Sequence, residues 1–166
     1  MENHWIENNL FVKRYPLPRE IELSNIDTYI NVSDEYISYC HDVALKSGKK
    51  YFWFPLNECS NNMGLNSIYA AINILLLSEE RNHKVVVHCH AGVNRSRLVY
   101  DCYLYFRTGT IPNEKSMLYK ACQGNYLPAF KEMLSFIDSC KKSFELEETR
   151  RGGQLDICIH EAIIDK

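Results

Sequence analysis

Residues 84–88, KVVVH, restrict the fold more than any other stretch of the chain. Three consecutive valines leave no polar face, so a strand here must be covered on both sides. That is the situation of an inner strand in a parallel sheet with helices above and below. Other segments agree with this reading. Runs rich in β-branched and aromatic residues at 10–12, 28–32 and 51–54 read as short strands, the last closed by Pro55, with Trp53 and Phe54 expected in the core. Residues 36–46 have helical character and stop at Ser47-Gly48, and residues 96–106 stop at Thr108-Gly109. Leu65, Ile68, Ile72, Leu75 and Leu76 share one helical face; Pro112 opens a further helix; Leu127, Phe130, Met133, Leu134 and Ile137 define another. Strands alternating with helices, then a helical second half, predict an α/β fold: a central, mostly parallel sheet flanked by helices.

Residues 1–149 are read as one domain, and residues 150–166 as a C-terminal tail. Arg150-Arg151-Gly152-Gly153 is a turn signal, after which Leu155, Ile157 and Ile159 alternate with Asp156, Cys158 and His160. This strand-like tail is expected to add to a sheet edge of its own protomer or of a second one, making the chain a monomer or a dimer through the tail. The alternative is a frayed end that packs loosely.

Composition narrows the function classes. With 46% hydrophobic and 24% charged residues over 166 positions, the chain is a globular domain of ordinary size and not a disordered one. A formal charge of -2 supplies no general basic field for nucleic acid or an anionic membrane, so neither is an expected partner. The opening MENHWIENNLFVKRYP lacks the features of a signal peptide, and no apolar run is long enough to span a bilayer; a cytoplasmic protein is expected. Seven cysteines without a CxxC pair point to buried thiols with one that is reactive, rather than to a disulfide scaffold.

The candidate for that reactive thiol ends the valine strand, in VVVHCHAGVNRSR. A thiolate is the nucleophilic form of cysteine and is favoured beside positive charge or a helix N-terminus. Cys89 stands where the strand stops and Ser96 where the next helix begins. Between them His90, Ala91, Gly92, Val93 and Asn94 can turn their backbone N–H groups toward one centre. Arg95 brings a planar fork suited to two phosphoryl oxygens, and the Ser96 hydroxyl can hydrogen-bond the Cys89 sulfur or cap the helix. Together these make an oxyanion cradle with a thiolate at its floor. A metal site is disfavoured because the adjacent His88, Cys89 and His90 alternate faces along an extended strand.

HCHAGVNRS resembles the HC-x-x-G-x-x-R-S/T signature of cysteine-dependent protein tyrosine phosphatases, with Cys89, Gly92, Arg95 and Ser96 at the matching positions. The short chain and the stretch TYINVSDE resemble the dual-specificity branch. The resemblance implies the same sheet with its helices and a phosphate loop at the C-terminal end of the central strand. It also implies Cys89 as nucleophile, residues 90–95 around the phosphate, His88 supporting the loop by hydrogen bonding, and no cofactor or metal.

One element departs from the family pattern. The stretch that implies an aspartate as general acid is here FPLNECSNNMG, at 54–64, and holds no aspartate. Glu58 is the expected proton donor; Asn57 has no acidic proton, and Asp34 and Asp101 are poorer candidates, Asp101 being expected in solvent or in a salt bridge. Cys59 is expected to be an inert thiol, with a reversible disulfide to Cys89 as the alternative. Arg97 is expected in an exposed salt bridge. The loop lacks the lysines of family members that handle phosphoinositides. Asn94 matches RNA-triphosphate phosphatases, but Ser96 does not. A phosphorylated protein is therefore the expected substrate, carrying phosphotyrosine, phosphoserine or phosphothreonine. A phospho-binding module with weak or no turnover, or an RNA 5′-phosphatase, is the alternative.

Overall fold

The computed structural model describes residues 4–57, 64–111 and 126–151. The chain divides into two compact units, Met1–Met133 and Leu134–Lys166. The first runs α1 (His4–Asn9), β1 (Leu10–Arg14), α2 (Pro18–Leu23), β2 (Thr28–Asn31), α3 (Ser38–Lys46), β3 (Lys50–Trp53), α4 (Leu65–Glu80), β4 (Val85–Cys89) and α5 (Arg95–Thr108). A last helix, α6 (Tyr126–Arg151), begins in the first unit, where Ala129, Phe130 and Met133 are buried, and supplies the described part of the second. Its end takes in Arg150 and Arg151, read above as a turn. The Pro112 helix and the strand-like tail lie outside the described residues.

The four described strands form one parallel sheet in the order β1-β4-β2-β3. The valine strand β4 is an inner strand, buried along its whole length, as its lack of a polar face requires. Register pairs Phe11 with Val86, Val86 with Tyr29, and Tyr29 with Tyr51. These residues share one face, which packs with Ile21 of α2 and Cys40 and Ala44 of α3. On the other face lie Leu10, Val85, Val87 and Ile30, and α5 packs there against β4 and β1. Helix α4 in turn packs on α5, burying Ile68, Ala71, Ile72 and Leu75. The two helices are also joined by polar contacts. The Tyr103 hydroxyl donates to Glu79 Oε2 at 2.6 Å, and Arg107 meets both Glu79 oxygens at 2.9 and 3.1 Å.

Two short helices were not expected. Both α1 and α2 have six residues, too few to display a helical period. Local signals for α2 exist nonetheless: Pro18 occupies its first turn, and the Glu20 carboxylate accepts the Leu17 N–H at 2.7 Å. Trp53 corrects a second expectation. It is 40% exposed, because β3 is an edge strand and the indole lies at its end, donating to Ser33 O at 2.9 Å. Phe54 is half-buried and stacks on Phe52. Among the described residues no helix is long and apolar enough to cross a membrane.

Candidate active site

Parallel strands deliver their C-terminal ends to one edge of the sheet, so β4, β2 and β3 all stop beside one another. Pleating sends Cys89 to the side of α5, opposite to His88. There its Sγ lies 3.2 Å from Ser96 Oγ, and both residues are buried. A hydroxyl at that distance can donate to a sulfur anion and hold it as nucleophile or leaving group. Residues 90–94 turn between the strand and α5, which begins at Arg95, so the sulfur also faces the amino end of a fourteen-residue helix.

Gly92 explains how the loop fits. Its φ is +71°, and a Cβ there would come within 2.7 Å of Lys13 O, and closer still to Lys13 C and Arg14 N. The loop therefore lies directly on the end of β1, where Tyr15 N also donates to His90 O at 3.4 Å. Both the dihedral and the space demand glycine. Of the other loop residues, Ala91 is exposed, Val93 half-buried and Asn94 buried.

Arg95 is 7% exposed, and its Nη1 is held from two sides. It donates to the Asp34 carboxylate, and Leu56 O stands 3.5 Å away. Asp34 follows β2 and Leu56 follows β3, so one guanidinium gathers the loops of two neighbouring strands. The hydrogen bond from Arg95 holds the Asp34 carboxyl below the usual carboxylate range. The turn that presents Asp34 is built by buried side chains. Asn31 Oδ1 accepts from Ser33 N at 2.9 Å, Asn31 Nδ2 donates to Glu35 O at 2.9 Å, and Ser33 Oγ lies 2.7 Å from Asn31 Oδ1. Sequence reasoning weighed Asp34 only as an acid and missed its contact with Arg95. The signal available was its position just past a strand expected in the same parallel sheet as β4.

The two histidines differ. His88 is fully buried on the α3 side, its ring 5.8 Å from that of Tyr51. Among the described residues neither ring nitrogen has a hydrogen-bond partner, while its backbone carbonyl accepts from Val32 N at 2.8 Å. Burial pushes the imidazole down to about 3, so it is neutral at pH 7. His90 turns outward, edge-on to Tyr15, with Nε2 3.5 Å from Glu35 Oε2.

Glu58 and Cys59 lie outside the described residues. Of the residues flanking them, Gly64, at φ +89°, lies beside Pro55, whose carbonyl oxygen a Cβ there would meet at 3.4 Å. Asp101 is buried within α5 and meets Arg97 Nε at 3.2 Å, the salt bridge that was one of its two expected settings. Arg97 is part-exposed and also lies over the Tyr100 ring.

Residues 11–138 match the family model of the dual specificity phosphatase catalytic domain. No curated protein matches the chain. Among solved structures, PTPMT1 is similar at 19% identity with a TM-score of 0.66, covering 81% of this chain and 95% of that one. Tk-PTP in its active form follows at 18% identity and a TM-score of 0.65, covering 78% and 94%. The PTP-2 phosphatase of Cydia pomonella is 19% identical with a TM-score of 0.57, covering 78% and 85%. These likenesses bear on the fold, and the matched family model spans most of the chain, including the loop from Cys89 to Ser96. The chain belongs to the dual specificity phosphatase catalytic-domain family, the cysteine-dependent phosphatases.

Proposed function

We propose that the protein is a phosphoprotein phosphatase that hydrolyses phosphotyrosine, phosphoserine or phosphothreonine through a cysteinyl-phosphate intermediate. The observation that carries this reading is the 3.2 Å contact between Cys89 Sγ and Ser96 Oγ at the mouth of α5, next to Arg95. Cys89 Sγ attacks phosphorus while the ester P–O bond breaks, with the transferring oxygens held by the N–H groups of residues 90–95 and by the Arg95 fork. Glu58 gives its proton to the departing alkoxide or phenoxide. Its carboxylate then takes a proton from the water that attacks phosphorus, the S–P bond breaks, and the thiolate returns to the Ser96 hydroxyl. No cofactor or metal enters this scheme. Cys40, Cys89, Cys102 and Cys140 are free thiols among the described residues, and a cytoplasmic setting is part of this proposal.

The test is hydrolysis of phosphotyrosine and phosphothreonine peptides by wild type and by Cys89→Ser. Turnover by wild type, abolished in Cys89→Ser with peptide binding retained, supports the enzyme. Tight binding without wild-type turnover makes it a phospho-binding module. Turnover of a 5′-triphosphorylated RNA alone moves the substrate class to nucleic acid. Glu58→Gln is expected to lower kcat on alkyl phosphopeptides by about 100-fold or more while sparing a nitrophenyl ester, whose leaving group needs little protonation. An unchanged kcat on the peptides removes Glu58 from the donor role.

A further inference from the structure

The carboxylate on Arg95 bears on what else the substrate must carry. Asp34 sits one residue past the Asn31–Ser33 network, in a turn also fixed by the Trp53 indole on Ser33 O. This backbone cannot withdraw without breaking buried hydrogen bonds, so Asp34 stays at the rim when a phosphoryl group arrives on the same guanidinium. Its side chain is 59% exposed, within reach of a substrate. Glu35 stands next to it over His90, adding a second carboxylate to that rim. A phosphoryl dianion on Arg95 faces this charge at close range. A further anion beside the phosphoester adds to the repulsion, and a cation beside it relieves the repulsion.

We propose that Asp34 is a specificity-determining residue, selecting substrates that carry a positive charge next to the phosphorylated group. Under the phosphoprotein reading, on which this rests, the preferred substrate is a phosphopeptide flanked by Arg or Lys. Anionic phospholipid headgroups and acidic phosphopeptides are disfavoured.

Two substrate series test this. One holds phosphopeptides with Arg, Gln or Glu beside the phosphorylated residue. The other holds aryl phosphates with a trimethylammonium or a carboxylate ring substituent. The expected result is a kcat/KM ratio of roughly tenfold for cation over anion in both series, shrinking as salt is raised. Asp34→Asn is expected to bring the ratio to about twofold or less, and Asp34→Glu to restore it. The same ratio is read from competition binding to Cys89→Ser, so it is obtained with or without turnover. Peptides left intact while the aryl phosphates keep their charge preference would overturn the phosphoprotein reading and support the role of Asp34. Equal handling of cationic and anionic members, faster turnover of an anionic phosphoinositide than of the Arg peptide, or a ratio that survives Asp34→Asn overturns the role of Asp34.

Discussion

At the scale of single residues, the site depends on Gly92 as much as on the groups that do chemistry. Its missing Cβ lets residues 90–94 rest on the end of β1, and any side chain there pushes the loop off Lys13 and Arg14. Gly92→Ala is expected to keep the fold and to lower kcat/KM for an aryl phosphate by about 100-fold, since amides displaced by an ångström no longer converge on the phosphoryl oxygens. Steady-state kinetics with a circular-dichroism melt checks both halves of that expectation. The residues of the loop were legible because their chemistry and spacing are local: cysteine, glycine, arginine and serine lie within eight positions. The partnership of Arg95 with Asp34 was not, because it spans sixty-one positions and depends on strand order. The setting of His88 was not legible for a related reason: strand pleating turns its ring toward Tyr51, while its carbonyl accepts from Val32 N just past β2.

At the scale of elements, β4 was the most legible because an unbroken apolar strand has few places to go. Helix α4 followed from its period, although Leu65 and Leu76, read as part of its buried face, are only half-buried. The connection between α4 and α5 was not legible, since Glu79, Tyr103 and Arg107 look like ordinary surface residues in the sequence. In the structure one partly buried carboxylate takes a hydroxyl and a bidentate guanidinium from the next helix. Glu79→Ala removes this shared acceptor and is expected to cost about 1–3 kcal/mol of stability. Urea unfolding measures that directly, and phosphatase kinetics at low temperature are expected to stay near wild type because the contact is at the far end of α5 from Cys89.

For the molecule as a whole, His88 sets a limit on acid tolerance. The unfolded chain protonates this imidazole around its ordinary 6.5, the folded one only near 3. Protons therefore favour unfolding, so stability is full above pH 6.5, falls as pH drops from 6.5 to 3, and levels off below. The loss attributable to this ring is on the order of 5 kcal/mol at most. Chemical denaturation across that range is expected to show a shallower acid decline in His88→Phe than in wild type. The same molecule carries its own optical probe. Its two tryptophans have opposite settings: Trp5 is buried edge-on against Tyr103, whereas Trp53 is partly in water and hydrogen-bonded to the turn that holds Asp34. In a Trp5→Phe protein all indole emission comes from Trp53, and its wavelength and quenching report on that turn without any label. Because that turn keeps its place when an oxyanion is titrated onto Arg95, the emission is expected to hold its wavelength, and a shift would reveal the turn withdrawing.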